Sequence, residues 1–137
     1  MRTRLSLCTL TVVVVAATAA AACIHSADQA RRREAAYQAR LASFSESLKS
    51  GMTRKDVEGY LRRHGYEFRQ MCCMNHGKNA WDDLTQIGKE PHPWYCSEHN
   101  VYIGFEFVSD GSHQFPEGHD SDTLKGIQIY HWLEGCL

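Results

Sequence analysis

The chain has 137 residues, with 15 Lys+Arg against 16 Asp+Glu for a formal charge of −1, and is 43% hydrophobic and 23% charged. That near-neutral balance offers neither a basic surface for nucleic acid nor a strong acidic field. The composition also excludes a disordered chain and a polytopic membrane protein. At this length there is room for one domain with one modest core.

Residues 1–22 read as an export signal. Arg2 and Arg4 form a positive start, and no charge interrupts the apolar run from Leu5 to Ala22, which is centred on Val12–Val15 and finishes Ala19-Ala20-Ala21-Ala22. The run is long enough to span a membrane, but its small-residue end is what a signal peptidase cleaves. An uncleaved anchor is the alternative.

Ala20-Ala21-Ala22-Cys23 resembles the lipobox of bacterial lipoproteins, with Ala20 where Leu is usual. The resemblance implies that Cys23 is acylated and becomes the first residue of the mature chain. Two or three acyl chains make such attachment stable where one does not. Ile24, in place of Asp, implies sorting to the outer membrane, facing the periplasm. Ordinary cleavage near Ala19–Ala22 would instead release a soluble periplasmic protein. Cysteine arithmetic favours the lipid: Cys8 leaves with the signal, and Cys72, Cys73, Cys96 and Cys136 are already an even set. On this reading residues 23–27 are a tether and residues 28–137 a single domain.

Ser26 to Ser50 reads as a helix, because Tyr37, Leu41, Phe44 and Leu48 fall on one stripe. Arg31-Arg32-Arg33 precedes that stripe as a solvated face, or as a contact for anionic head groups close to the anchor. Gly51 supplies the stop. A second helix follows at once. Thr53 caps it, Asp56 answers three residues on, and Met52 and Val57 have the spacing of a hydrophobic staple. Val57, Tyr60 and Leu61 face the core, and Gly65 ends the helix after Arg62-Arg63-His64.

Tyr66 to Met74 alternates as a strand, with Tyr66, Phe68, Cys72 and Met74 on one face. Residues 75–100 read as irregular, with a helical turn around Trp81–Leu84, because Pro91 and Pro93 interrupt regular structure. Val101–Val108 is a strand with Val101, Ile103, Phe105 and Phe107 inward, Ser109–Thr123 a polar loop, and Leu124–Leu133 the last strand. The expected fold is α+β, two N-terminal helices on a three-stranded antiparallel sheet in the order α-α-β-β-β.

Leu48-Lys49-Ser50-Gly51-Met52-Thr53-Arg54-Lys55-Asp56-Val57, with Leu61 after it, resembles the Gly-Met-Thr signature that opens the second helix of the BamE (SmpA/OmlA) lipoproteins of outer-membrane assembly. The order of elements is also similar to theirs and to the repeat unit of the β-lactamase inhibitor proteins. The resemblance implies a fold and an envelope address. Beyond residue 70 the chain departs from those families. Met71-Cys72-Cys73, the stretch Trp94–Tyr102 and His131–Leu137 resemble small exported bacterial proteins of unassigned role.

Four cysteines allow three pairings. Cys72–Cys73 would join neighbours pointing to opposite faces of a strand, so the expected pairings each tie this strand to Cys96 and Cys136. Closing the stretch from Cys73 to Cys96 would contribute roughly 3 kcal/mol in the chain-entropy model. The rival use of the same residues is zinc: Cys73, His76, Cys96 and His99 form two C-x2-H pairs and an acceptable tetrahedral set, against which an oxidising compartment favours disulfides. A thiol-redox role lacks its C-x-x-C motif. No G-x-S-x-G, H-E-x-x-H or P-loop is present, and His113, His119, Asp120 and Asp122 read as solvated loop residues. We therefore expect no catalytic role and no cofactor. The expected role is that of a binding or accessory protein of the cell envelope with a protein partner, attached to the membrane through its N-terminal lipid. Two helices cover one face of the sheet, so Tyr102, Tyr130 and Trp132 on the other are the expected partner surface.

Overall fold

The computed structural model describes residues 7–72, 81–109 and 118–137. The chain divides into two compact units, Met1–Ala36 and Tyr37–Leu137. In the first, helix α1 (Leu7–Ser47) begins far earlier than the stripe around Tyr37 predicts, since the alanine-rich run before it also favours helix. Val12 to Val15 are between 54% and 67% exposed, as is Ile24 at 71%. The segment is long and apolar enough to cross a membrane, with mean hydropathy 1.4, a profile that signal sequences share. Asp28 and Arg32 pair across one helical turn at 2.8 Å.

In the second unit, the end of α1 and helix α2 (Arg54–Arg63) cover one face of a sheet. The predicted stripe is there: Tyr37, Phe44 and Leu48 are buried and Leu41 packs against the core. Thr53 caps α2 as its sequence predicts, its Oγ1 accepting from the Asp56 N–H at 3.2 Å and donating to Oδ2 of Asp56 at 2.7 Å. At the other end the Gly65 N–H donates to the Arg62 carbonyl and the Tyr66 N–H to the Leu61 carbonyl. With Gly65 at φ 72° this is a Schellman stop. The first backbone donors of α2 find partners far along the chain, Arg54 N–H on the Asp122 carbonyl and Lys55 N–H on that of Asp120.

The sheet has four antiparallel strands in sequential order: β1 (Arg69–Cys72), β2 (Trp81–Lys89), β3 (Glu98–Val108) and β4 (Thr123–Glu134). The α+β class and the two helices hold, and the three-stranded sheet is corrected to four. The added strand is β2, where the sequence predicts irregular structure and a helical turn. Its apolar alternation is missing because it carries Asp82 on one face and Asp83 on the other, compensated by partners that no local pattern reveals. Pro91 and Pro93 lie beyond its end. β1 is shorter than the predicted Tyr66–Met74, because the Schellman stop carries Tyr66 to Phe68 away from the sheet edge; Met74 lies outside the described residues. The inward set on β3 is as predicted, with Val101, Ile103, Phe105 and Phe107 at most 3% exposed. Ile103, Phe105 and Phe107 pack with Phe44, Leu48, Val57, Leu61 and Leu124, and with Ile127 and Ile129 of β4.

Candidate functional site

Cys96 is bonded to Cys136, with Cα atoms 3.9 Å apart. The two lie in matching positions just past the β3–β4 ladder, each two residues beyond the Glu98–Glu134 pair. This corrects the expected pairings, which tied both cysteines to the strand holding Cys72 and Cys73. Cys72 is itself disulfide-bonded, to a residue outside those described; Cys73 lies outside them too. The rival zinc set fares no better: the Cys96 sulfur is oxidised and not a thiolate, while Cys73 and His76 lie outside the described residues. His99 turns its Nδ1 to the Pro91 carbonyl at 3.2 Å. Among the described residues no group of three or more His, Cys, Asp or Glu is placed to hold a metal ion, and the free cysteine is the exposed Cys23.

Alternation puts Tyr102, Tyr130 and Trp132 on the face away from the helices, with Tyr102 opposite Tyr130 and Asn100 opposite Trp132. Yet Tyr102 is only 3% exposed, and Tyr130 and Trp132 are half-buried. The Tyr130 ring lies across Gly104, where an added Cβ would come within 2.3 Å of it. This face is polar and internally bonded. Arg69 donates to the Tyr102 hydroxyl, which donates to Glu134 at 2.9 Å. Gln128 donates to Glu106 and to the Tyr130 hydroxyl, which donates in turn to Glu106 at 3.2 Å. Burial pushes both tyrosine hydroxyls up, helped by the Glu134 and Glu106 carboxylates beside them. The aromatic side chains most open to water among the described residues sit elsewhere, on the segment next to the disulfide: Trp94 is 89% exposed and Tyr95 44%.

The helix face holds a group that the sequence does not advertise. Arg54, at the start of α2, is 1% exposed. Its guanidinium reaches Asp83 at 2.5 Å and Asp122 at 3.3 Å, donates to the Trp81 carbonyl, and lies 4.0 Å over the Phe107 ring. A Cβ on Gly118 would come within 2.7 Å of its Cζ, so that glycine seals the cation. Asp122, expected in solvent, is buried here, while His119 and Asp120 remain open to water; His113 lies outside the described residues. The arrangement joins α2, β2 and the start of β4.

Both aspartates of β2 hold their protons to unusual pH. Burial pushes Asp83 up to about 7 against the pull of Arg54, with Glu58 adding to the rise. Burial, then the Glu106 carboxylate, pushes Asp82 up to about 6, partly offset by a hydrogen bond from the Phe107 backbone. Between their unfolded and folded values the native state binds protons that the unfolded chain has released. Stability therefore falls as pH rises through that window. We expect the protein to be about 2–4 kcal/mol more stable at pH 5 than at pH 7.5, read from urea midpoints, with Asp83→Asn flattening the upper half of the slope. A midpoint that climbs steadily to pH 7.5 would refute it.

Compared with known proteins, the chain matches no family model, no curated protein and no solved structure.

Proposed function

We propose that this is an exported protein held at the bacterial envelope through lipid on Cys23, whose disulfide-locked α+β unit binds a protein partner without catalysing a reaction. The observation that carries the reading is the division of labour among the cysteines. Cys72, Cys96 and Cys136 are in disulfides, whereas Cys23 is free and exposed at the end of an unburied apolar run. In an oxidising compartment an unpaired thiol is a liability, and acylation removes it. The Gly-Met-Thr turn that resembles the BamE lipoproteins supports an outer-membrane address facing the periplasm. A binding role fits a sheet face on which Arg69, Glu106 and Glu134 are engaged with Tyr102, Gln128 and Tyr130.

The test is the N-terminus itself. The mature protein is expected to begin at Cys23 with the added mass of two or three acyl chains, and Cys23→Ala is expected to move it from the membrane to the soluble fraction or to leave the signal uncleaved. An N-terminal peptide that begins elsewhere, or Cys23 without lipid, sinks the proposal.

A further inference from the structure

The outer edge of β2 is only partly covered. β1 has four residues and pairs with Trp81 to Leu84, leaving Thr85 to Gly88 beyond it. Where β1 would continue, the Schellman stop at Gly65 has drawn Tyr66–Phe68 off the ladder. Among the described residues, no backbone group outside the sheet ladders bonds to Thr85, Gln86, Ile87 or Gly88. A groove of about 440 Å³ runs along this edge, walled by Gly65, Tyr66 and Glu67 on one side and by Thr85, Gln86 and Gly88 on the other. It ends at Lys89, whose carbonyl accepts from the Tyr37 hydroxyl at 3.5 Å.

Two further observations point to a ligand. Thr85 lines the groove and is 3% exposed, yet its hydroxyl has no hydrogen-bond partner. A buried unpaired hydroxyl costs stability, and a ligand group in the groove would relieve that cost. At the rim, the exposed Glu67 carboxylate makes no ion pair among the described residues.

We propose that Thr85–Gly88 takes up an extended peptide by strand addition, as an in-line continuation of β1, with a basic residue of the peptide beside Glu67. This rests on the binding role proposed above and gives it a ligand class. Alternate residues of an antiparallel edge turn both backbone groups outward, so the open stretch bonds a segment of about four residues. A second copy of this chain is the wrong occupant. The extra residue at Ile87 bulges the edge and twists it away from flat pairing, and two such edges would drive their Gly65–Glu67 walls together. A single extended segment brings neither a second bulged edge nor a second wall.

The experiment selects a phage-displayed library of random heptapeptides on the full-length protein in detergent micelles, then titrates the synthesised winner. Expected are saturable binding, a Lys or Arg in the winner, slowed amide exchange at Thr85–Gly88, and loss of binding when alternate peptide amides are N-methylated. Thr85→Val is expected to raise Tm by about 4 °C or more while weakening the peptide roughly tenfold. A residue serving structure alone would not split those two readouts. Glu67→Lys is expected to remove the preference for a basic residue. No enriched peptide, protection at another site, or N-methylated peptides that bind equally well would overturn the proposal. A partner cross-linked at Trp94 while the Thr85–Gly88 amides exchange freely would overturn this edge alone and leave the envelope-binding role standing.

Discussion

Arg54→Leu is expected to cost about 3–5 kcal/mol of stability at pH 7.5, more than any other single substitution in the globular unit proposed above. The loss does not come from the attraction between Arg54 and its aspartates, most of which is offset by dehydrating the charges. It comes from what the leucine leaves behind: Asp83, fully buried, and Asp122, 4% exposed, without the cation they share. Asp83 can escape by taking up a proton. The penalty should therefore shrink at pH 5, and the gap between wild type and variant, followed by urea denaturation, should narrow by roughly 1 kcal/mol or more, the equivalent of about one pKa unit. Arg54→Lys should recover little, because an ammonium cannot match a planar fork that serves Asp83, Asp122 and the Trp81 carbonyl together. Replacing Arg54, Asp83 and Asp122 together by Met, Leu and Asn should restore much of what the single change loses. A cost below about 1 kcal/mol for Arg54→Leu would mean that water reaches the aspartates.

The second large effect is covalent. Replacing Cys96 and Cys136 together by serine is expected to cost about 2–4 kcal/mol, since the bond closes a loop with sequence separation 40. Paired replacement leaves no stray thiol, and it spares the bond at Cys72 that a reductant would also cut. The affected region should be local first. The Trp94–Tyr95 segment and the strand ends at Glu98 and Glu134 should lose amide protection before the β3–β4 centre does. Unchanged urea midpoints and unchanged exchange at these ends would show that the clamp adds nothing to the hairpin.

How far the sequence reveals this structure depends on how local each signal is. The stripe Tyr37, Phe44, Leu48 and the alternation Val101 to Phe107 are periodic within one element, and both face the core as read. The Thr53–Asp56 cap is encoded in four consecutive residues and forms. β2 is illegible for the opposite reason: its inward Asp83 makes sense only beside Arg54, 29 positions away. Distance in sequence likewise hides Asp122, which looks like a solvated loop acid and is a buried partner. Connectivity of the cysteines depends on strand register. Cys96 meets Cys136 because Glu98 pairs with Glu134, and no residue near either cysteine announces that. The facing of Tyr102, Tyr130 and Trp132 is legible from alternation, whereas the polar network on that face is not. Arg69, Glu106, Gln128 and Glu134 engage the hydroxyls and leave the most exposed aromatics to Trp94 and Tyr95.

The long reach of the bonds that start α2 bears on the order in which a nascent chain can mature. A polypeptide that emerges N-terminus first presents Gly51, Arg54 and Lys55 well before Asp120, Asp122 and Leu124, whose carbonyls they require. Until those residues appear, the helix has an open start, Arg54 has no counter-ion from the far segment, and the sheet lacks β4. Contacts this distant in sequence form slowly, so the globular unit stays loose through most of its synthesis. If the chain is exported as proposed above, that delay is an asset: the elements emerging first lack what they need to lock.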